Sequence, residues 1–460
     1  MTAQTLKIDH ARFVVTLDAQ RRIIQDGSLL VEGGRITRVA KAAELAAARA
    51  DRVIDARTMV VTPGFVNGHM HISYAHCVRG IFPDDVGSPL PQVFKLQMAM
   101  TEDEEYHTTL LGLVELVRNG TVCFVDPGST KFPDACLQAY QDAGIRVILG
   151  DCVTDREAPF PLPRYAPAEA VDRTSAFLKK WHGRLEGRVR AWAMPFSPET
   201  CSGDLLRALK RLADEHRTFL TLHFNSGENA RAEYQKAHGA ASPTAYLQTL
   251  GLLGPNVCLA HALGIDDAEI DLLARAGTTV AMCPVTAAKG ARGATHVGRL
   301  PELVARGVNV ALGCDSPNNC NHLDVLRAAN MAAVQYKDAR QDMKMIPAET
   351  ALELATLSGA HAVGVGDEIG SLEPGKKADL LLWDTQRPEW QALFNPINNL
   401  VYNADGRSLH TVVVDGRVVV DAYRQSFVDE PRLYTKVQEI GERLLARTGV
   451  SHPRSRWPIV

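Results

Sequence analysis

Five side chains of the kind that bind metal ions follow short apolar segments of this sequence. They are His69, His71, His223, His261 and Asp315. His69 and His71 end the segment VTPGFVNGHMH, and residues i and i+2 of a β-strand share a face, so both imidazoles can point at one ion. A lone histidine near a strand end is more often a structural residue, and an HxH pair alone is ambiguous. Five such residues, each directly after an apolar segment, together favour a metal site.

The segments that carry these residues belong to a regular alternation of apolar runs and helical stretches. Continuous apolar runs are typical of parallel strands buried on both faces. Eight alternations favour a (β/α)8 TIM barrel over a doubly wound sheet, although periodicity alone leaves closure of the barrel open. In such a barrel, function gathers at the carboxyl ends of the strands, which is where the five residues fall. The runs are VTPGFVNGH, TVCFVDP, RVILGDCVT, RVRAWAMPF, FLTLHF, VCLAHAL, TVAMCP and VNVALGCD.

Both ends of the chain contain short alternating strands. RFVVTLD and GSLLVEGGRITRVA lie near the start, ADLLLWD and HTVVVDGRVVVD return near the end, and Asp415-Gly416 between two apolar runs predicts a hairpin. Neither end alone has enough strands to bury a core, so we predict that both form one small β-sandwich. The predicted divisions are 1–61 and 366–425 for the β-sandwich, 62–365 for the metal-dependent barrel, and 426–460 for a C-terminal helical tail that packs on the barrel or on another subunit.

The composition excludes several classes of protein. With 460 residues and a net charge of −3, the chain has no electrostatic signature of nucleic-acid or anionic-membrane binding. No segment approaches the roughly 20 apolar residues of a membrane span, and the start lacks a signal-peptide core. Nine scattered cysteines without a CxxC pair indicate reduced thiols. We therefore expect a soluble, cytoplasmic protein with a small-molecule substrate, assembled as a homo-oligomer.

Several motifs resemble the amidohydrolase superfamily. They are VTPGFVNGHMH, the AH pair at 260–261, LGCDSPNN around residue 315, and GSLEPGKKADLLLWD at 370–384. The resemblance covers nearly the whole chain and is greatest to the branch of triazine hydrolases and adenosine-type deaminases. HISYAHCVRGIFPDD and DTQRPEW also resemble the subgroup of phenylurea and thiocarbamate (molinate) hydrolases. The ordered motifs are specific to the superfamily but not to a substrate.

The resemblance implies a role for each of the five residues. His261 would orient the attacking water or the substrate, and in binuclear relatives it would bind a second metal. One metal is favoured, because the strand AWAMPFSPET has no lysine to bridge two ions and Glu199 lies beyond its end. The implied ligands of that single metal are His69, His71, His223 and Asp315.

The chemistry of this ligand set is hydrolysis. Three imidazoles and a carboxylate leave a coordination position open for water, and a divalent ion lowers the pKa of that water from near 16 to ~7. Asp315 could accept the proton and pass it to the leaving group, with His261 as the second catalytic residue. Zinc fits best, while iron, cobalt and manganese suit the same ligands.

The substrate is the least determined feature. Deaminases of this branch generally carry a glutamate three residues after the strand-five histidine, but this position is Ser226 and the next acid is Glu228. The carbonyl of an amide, urea or carbamate is polarised directly by a metal and needs no ring protonation, so we favour a carbonyl C–N hydrolase. The alternative is an aminohydrolase or dechlorinase of a purine, pterin or triazine ring. The intact ligands argue against a third possibility, a binding protein that has lost its metal.

Other polar residues near the strand ends allow both a functional and a structural interpretation. The candidates for substrate binding are His76, Glu228, Asn319 and His322. Loop residues of this kind are also commonly solvent-facing, and asparagines after a strand commonly cap the next helix. By the same reasoning Cys314 is expected to be a buried core thiol, and Lys289 and Arg292 to be exposed loop charges.

Overall fold

The computed structural model describes residues 5–73, 76–82, 89–128, 130–158, 160–225, 230–450 and 457, without the side chain of Asn225. Within these ranges the strands are β1 (Thr5–Val15), β2 (Ile23–Glu32), β3 (Arg35–Lys41), β4 (Arg52–Asp55), β5 (Met59–Pro63), β6 (Phe65–Asn67), β7 (Thr121–Asp126), β8 (Arg146–Leu149), β9 (Cys152–Val153), β10 (Val189–Ala191), β11 (Met194–Pro195), β12 (Leu220–Asn225), β13 (Val257–Leu263), β14 (Thr279–Met282), β15 (Val310–Leu312), β16 (Leu380–Asp384), β17 (Leu409–Val414), β18 (Arg417–Asp421) and β19 (Arg424–Gln425). The α-helices are α1 (Leu90–Ala99), α2 (Glu102–Arg118), α3 (Pro133–Ala143), α4 (Pro167–Trp181), α5 (Gly203–Glu215), α6 (Ala230–His238), α7 (Pro243–Thr249), α8 (Asp267–Ala276), α9 (Pro284–Lys289), α10 (Leu300–Ala305), α11 (Val325–Arg340), α12 (Ala348–Ala355), α13 (Leu357–Ala362), α14 (Pro396–Asn398) and α15 (Glu430–Thr448).

The middle of the chain is an α/β structure built on parallel sheets. β6, β7, β8 and β10 form one parallel sheet, β12 to β15 form another, and β9 pairs with β11. A parallel bridge between Ala193 and Leu220 connects the two larger sheets on one side. On the other side the Gly68 N–H donates to the Leu312 carbonyl at 2.8 Å, so β6 lies beside β15. Each of the eight predicted apolar runs contains at least one strand.

Two glycines allow β6 and β15 to approach closely. A Cβ on Gly68 would lie 2.4 Å from the Cβ of Ala311, and a Cβ on Gly313 would lie 2.8 Å from the carbonyl oxygen of His69. Both distances are shorter than real Cβ contacts, so a larger residue would push the strands apart. The Asp315 N–H donates to the His69 carbonyl at 2.9 Å across the same junction. Close approach of the two backbones therefore brings these two residues together.

The helices begin where the sequence supplies caps, and they bury apolar faces against the sheets. Thr101 and Glu104 form a capping box at the start of α2, and the Asp324 carboxylate accepts the Arg327 N–H at the start of α11. Gly144 ends α3 in the left-handed region with φ 71°, which an L side chain rarely adopts. None of the helices in the described part of the chain is long and apolar enough to cross a membrane.

The two ends of the chain share one nine-stranded sheet. Its order is β19-β18-β17-β16-β5-β1-β2-β3, with β4 paired to β1. β16 runs antiparallel to β5, and the Trp383 indole N–H donates to the Thr62 hydroxyl at 3.0 Å in the buried seam between them. The predicted hairpin is present, because β17 and β18 are antiparallel and Asp415 and Gly416 both have positive φ. This sheet has a hydrophobic core separate from that of the parallel sheets.

The C-terminal helix α15 packs on the segment that follows β6. Leu444 belongs to a small apolar cluster with Val78 and Phe94, and a Cβ on Gly441 would lie 2.5 Å from the Cys77 carbonyl. Arg447 donates to the Glu104 carboxylate of α2 at 2.6 Å. The tail is predicted to pack on the barrel or on another subunit, and in this structure it packs on residues of its own chain. The same contact holds helix α1, which carries Phe94.

Candidate metal centre and active site

The five residues singled out in the sequence converge at the carboxyl ends of the parallel strands. His69 and His71 follow β6, His223 and His261 lie in β12 and β13, and Asp315 follows β15. Their possible ligand atoms form two overlapping groups, each with all its atoms within 4.8 Å of one another. One group is His69, His223 and His261, the other is His69, His71 and Asp315, and His69 therefore lies at the centre.

The distances between these side chains suit a shared cation. The Nε2 atoms of His71 and His223 are 3.3 Å apart. The Asp315 Oδ1 lies 3.5 Å from the His71 Nε2 and 4.0 Å from the His69 Nε2. Both ring nitrogens of His69 are buried, and among the described residues they have no hydrogen-bond partner. An unpartnered buried nitrogen is costly, so a cation bound by His69 would satisfy a group that the protein leaves unpaired.

Neighbouring groups orient the ligands. The His223 Nδ1 is 3.0 Å from the Phe196 carbonyl oxygen, which places the proton on Nδ1 and leaves the Nε2 lone pair facing the cluster. Asn319 Nδ2 donates to the Asp315 Oδ2 at 3.2 Å, and the Ser316 N–H donates to the Oδ1 at 2.6 Å. Such hydrogen bonds hold ligand side chains in a binding geometry before any ion arrives.

Two of the five residues have an unusual backbone conformation. His261 has φ 76° and Asp315 has φ 61°, both in the left-handed region that non-glycine residues rarely adopt. Ala262 beside His261 also has a positive φ, of 47°. Strained backbone of this kind persists where the surrounding structure imposes it, and it concentrates at functional sites.

Burial shifts the proton affinity of every member of the cluster. Burial, followed by the neighbouring imidazoles, lowers the pKa of His69 and His71 well below the ordinary value. Burial first and His261 second lower the pKa of His223 to about 4, and burial lowers that of His261 to about 3. Burial raises the pKa of Asp315, although His223 opposes the change. The imidazoles are therefore neutral near pH 7, the form that binds metals.

A cavity of 280 Å³ opens directly above the cluster. Its base is formed by ligand-type residues, and three aromatic rings line its walls. Phe94 and Phe160 stack with centroids 4.5 Å apart, and Phe196 stacks on the His223 ring at 4.4 Å. The lining residues are His71, Leu90, Phe94, Phe160, Phe196, Ser197, Glu199, Thr200, His223, His261, Arg292 and Asp315.

The structure places the predicted substrate-binding residues in three different situations. Asn319 lies at the cluster through its bond to Asp315. His76 is turned instead toward helix α2, where its Nε2 lies 3.4 Å from the Glu115 Oε2, and the charge of the same carboxylate acts on His322. Neither of these two histidines lines the cavity above the cluster. Glu228 lies outside the described residues, so substrate contacts by His76, His322 and Glu228 stay predictions.

The sequence analysis did not assign several residues to the cavity that line it. Arg292, expected to be an ordinary exposed loop charge, lines the cavity, whereas Lys289 donates to the Asn321 side chain. Glu199 also lines it and accepts a hydrogen bond from the Tyr234 hydroxyl at 2.6 Å. The three phenylalanines come from distant parts of the chain, and no motif groups them. Cys314 is buried with a raised pKa, as expected of a core thiol.

Comparison with known proteins identifies the family. Residues 60–419 match the model of the amidohydrolase family. The chain is 34% identical to a 5-methylthioadenosine/S-adenosylhomocysteine deaminase of Syntrophobacter fumaroxidans, over 95% of this chain and 96% of that protein. It is 33% identical to a 5′-deoxyadenosine deaminase of Methanothermobacter thermautotrophicus, over 86% and 90% of the two chains.

Solved structures agree with this placement. An adenosine deaminase from Xanthomonas campestris with bound zinc superimposes with a TM-score of 0.86 at 26% identity, over 96% of this chain and 98% of the other. A triazine hydrolase variant gives a TM-score of 0.87 at 23% identity, over 95% and 99%, which is a likeness of fold. The fold is thus TIM-barrel-like by homology. The chain belongs to the amidohydrolase family and is a hydrolase that acts on C–N bonds.

Proposed function

We propose that this enzyme is a metal-dependent aminohydrolase that removes the exocyclic amino group of an adenine nucleoside modified at its 5′ position. The observation that carries the proposal is the aromatic-walled cavity above the His/Asp cluster. Phe94, Phe160 and Phe196 offer ring faces and edges to a flat heteroaromatic base, and stacked or edge-on aromatic pairs are favourable. The relatives at 34% and 33% identity are named as deaminases of such nucleosides.

This proposal corrects the preference for an amide, urea or carbamate substrate. That preference depended on Ser226, which stands where related deaminases have a glutamate. Relatives with at least 30% identity over most of the chain carry deaminase names, and the phenylurea or molinate subgroup is not confirmed. A single departure within a loop is weaker support than similarity over nearly the whole chain. We propose that Glu228, two residues later, supplies the acid.

A second cavity supports a substrate larger than one ring. It has a volume of 260 Å³ and shares His71, Phe94 and Phe196 with the first cavity. Polar side chains line it, including Lys131 and the ion pair of Asp151 with Arg173 at 2.9 Å. With the base above the cluster, the adjoining cavity would take the ribose and its 5′ substituent.

The residues of the cluster have separable roles in the proposed reaction. His69, His71, His223 and Asp315 would hold one divalent ion, which supplies electrophilic activation of water when bound. Asp315 is held by Asn319 and Ser316 so that its carboxylate can take a proton from the attacking water and pass it on. His261, kept neutral by burial, would accept a hydrogen bond and fix the direction of attack.

Zinc is the proposed metal. The ligand set of imidazoles and one carboxylate suits zinc, and the adenosine deaminase of Xanthomonas campestris contains it. Among the described residues, neither of the two ligand groups contains a cysteine.

We also propose how the chain is organised around this site. The bridge between Ala193 and Leu220 and the hydrogen bond from Gly68 to Leu312 support a closed eight-stranded barrel over residues 62–365. The shared sheet supports one small β-sandwich from residues 1–61 and 366–425, followed by the helical tail 426–460. The homo-oligomeric state and the cytoplasmic location stay predictions.

The direct test is a comparison of two substrate panels on the zinc-loaded enzyme. We expect ammonia release from 5′-deoxyadenosine, 5-methylthioadenosine or S-adenosylhomocysteine, with the absorbance change of adenine deamination. Phenylureas, carbamates and anilides form the second panel, followed by release of the amine or aniline. Turnover confined to the second panel would reject the proposal, and removal of the metal by a chelator should abolish activity on either panel.

Glu228→Gln tests whether this acid replaces the missing glutamate. Deamination requires protonation of a ring nitrogen, and a positioned acid typically contributes ~10²–10⁴-fold. We therefore expect the variant to lose at least ~10²-fold in kcat on the best nucleoside. Glu157→Gln, a change in another polar loop, is the matched control and should leave kcat nearly unchanged. A loss below tenfold for Glu228→Gln would show that another group protonates the ring.

A further inference from the structure

A large cavity lies away from the metal cluster and is lined by arginines. It has a volume of 890 Å³ and shares no lining residue with the cavity above the cluster. It lies between helix α2, the start of α11 and the C-terminal strands. The five arginines that line it are Arg79, Arg118, Arg327, Arg387 and Arg407. Three carboxylates, of Glu115, Asp324 and Asp405, line the same cleft, and those of Glu430 and Asp384 lie just outside its lining.

Most of these arginines are paired with carboxylates, and one of them is not. Arg79 donates to the Glu115 carboxylate, Arg118 lies 2.9 Å from Glu430, and Arg407 lies 2.6 Å from Asp405. The guanidinium of Arg327, by contrast, has no ion pair or hydrogen bond to any residue that the structure describes. Its arginine fork is therefore free to bind a ligand in the cleft.

The charge of Arg327 acts on the nearby carboxylates of Asp324 and Asp405, but neither accepts a hydrogen bond from its guanidinium. Asp324 is almost fully buried, and its oxygen accepts the N–H of Arg327 itself at 3.0 Å to cap helix α11. Arg387 is a second guanidinium of the cleft, held by the Tyr423 side chain and by Asp384, whose carboxylate lies 3.7 Å from the Arg387 Nε. The Arg387 guanidinium also lies 4.9 Å from the ring centre of Tyr423. The cleft thus combines unused N–H donors with an aromatic wall.

We propose that this cleft binds a phosphate group, either as free phosphate or as part of a nucleotide. Arginine forks bind phosphate oxygens through paired hydrogen bonds, and several arginines converging from separate elements are typical of such sites. The ring of Tyr423 and the nearby Tyr434 would contact the base of a nucleotide. The proposal does not depend on the proposed deaminase function.

Titration calorimetry on the zinc-loaded enzyme tests this site with inorganic phosphate, adenosine monophosphate and uncharged adenosine. We expect saturable binding of phosphate and of adenosine monophosphate. Arg327→Gln should weaken both by about tenfold or more, the loss of a charge-assisted hydrogen-bonding partner. Equal affinity for the two would identify free phosphate as the ligand, and tighter binding of adenosine monophosphate would identify a nucleotide.

Arg292→Gln is the matched control, because Arg292 is also exposed and unpaired among the described residues but faces the metal cavity. Phosphate or nucleotide bound at the metal cluster would respond to Arg292→Gln and not to Arg327→Gln. That pattern overturns the proposal, as does the absence of saturable binding of both anions. Circular dichroism of the two variants checks that each retains its fold, and Arg327→Lys, which keeps the charge, should restore part of the affinity.

Discussion

Two groups of largely buried histidines in this molecule differ in what faces their ring nitrogens. The cluster around His69 has nitrogens that face one another and a single carboxylate, with His71 and His223 only 3.3 Å apart. His76 and His322 lie instead beside Glu115 and the guanidinium of Arg79. Burial lowers the pKa of His76 as well, and that of His322 to about 4, so low proton affinity does not separate the groups.

Convergence of ring nitrogens, and not burial, is therefore the feature that sets the candidate metal cluster apart from His76 and His322. In the first group a bound metal ion would satisfy the ring nitrogens of His69, which have no partner among the described residues. In the second group the charges of Arg79 and Glu115 already balance each other. Each of the following predictions concerns a substitution in one of the two groups or at a residue beside it.

The largest effect is expected for Asp315→Asn. The substitution keeps an oxygen ligand but removes the charge and the proton acceptor, so kcat should fall by several orders of magnitude even with excess zinc. Steady-state kinetics with metal content measured on the same sample would separate loss of the base from loss of the ion. Near-normal kcat in a metal-loaded variant would show that another group takes the proton.

A smaller but diagnostic contrast is expected between His69→Ala and His322→Ala. His69 is shared by both ligand groups, so its loss should reduce bound zinc from about one ion per chain to a small fraction. His322→Ala should keep its metal, because His322 belongs to the other group. Mass spectrometry of the metal after dialysis against zinc-free buffer measures both. Equal loss of metal in the two variants would show that the two groups of histidines do not differ in metal binding.

The smallest effect is expected on stability, from Glu115→Gln. Burial alone would raise the pKa of Glu115, but the contact with His76 and the charge of Arg79 outweigh it and lower the pKa to about 2. A carboxyl group whose pKa is lower in the folded protein stabilises the fold at pH values above its unfolded pKa, which is near 4.5. This stabilisation is lost as the pH falls toward 2. At pH 7 we expect the variant to lose roughly 2–3 kcal/mol in free energy of unfolding.

Urea denaturation at pH 7 and pH 4 measures this difference. The difference in free energy of unfolding between wild type and Glu115→Gln should have its full value at pH 7. It should be smaller at pH 4, where the carboxyl group of the unfolded chain has begun to protonate. Glu439→Gln breaks an exposed ion pair with Arg443 and serves as the control, with a change below ~1 kcal/mol. A gap that widens at pH 4 would contradict the assigned pKa direction.

The position of the metal-type residues could be predicted from the sequence for a simple physical reason. In parallel strands buried on both faces, the carboxyl ends meet at one side of the sheet, so ligand-type residues directly after apolar runs must lie near one another. The positions of His69, His223 and Asp315 need only the strand boundaries. The hairpin at Asp415 follows likewise from local turn chemistry.

The remaining features depend on contacts between distant segments. The partner of His76 is Glu115 on helix α2, and no local pattern places these two residues together. Arg292 looked like an exposed loop charge because its exposure is indeed high, and only the path of the loop brings it to the cavity. The positive φ of His261 arises from packing at the strand end and leaves no trace in residue type.

The pairing of β5 with β16 has a consequence for how the chain is made. β5 ends at residue 63 and its partner begins at residue 380, so on a ribosome adding ~5–20 residues per second the partner strand follows roughly 15–60 s later. During that interval one edge of β5 has unpaired N–H and C=O groups, a template for pairing with another chain. A message truncated before codon 380 would yield a protein that keeps this edge permanently. Nascent chains of this enzyme should therefore depend on chaperones more than their length alone suggests.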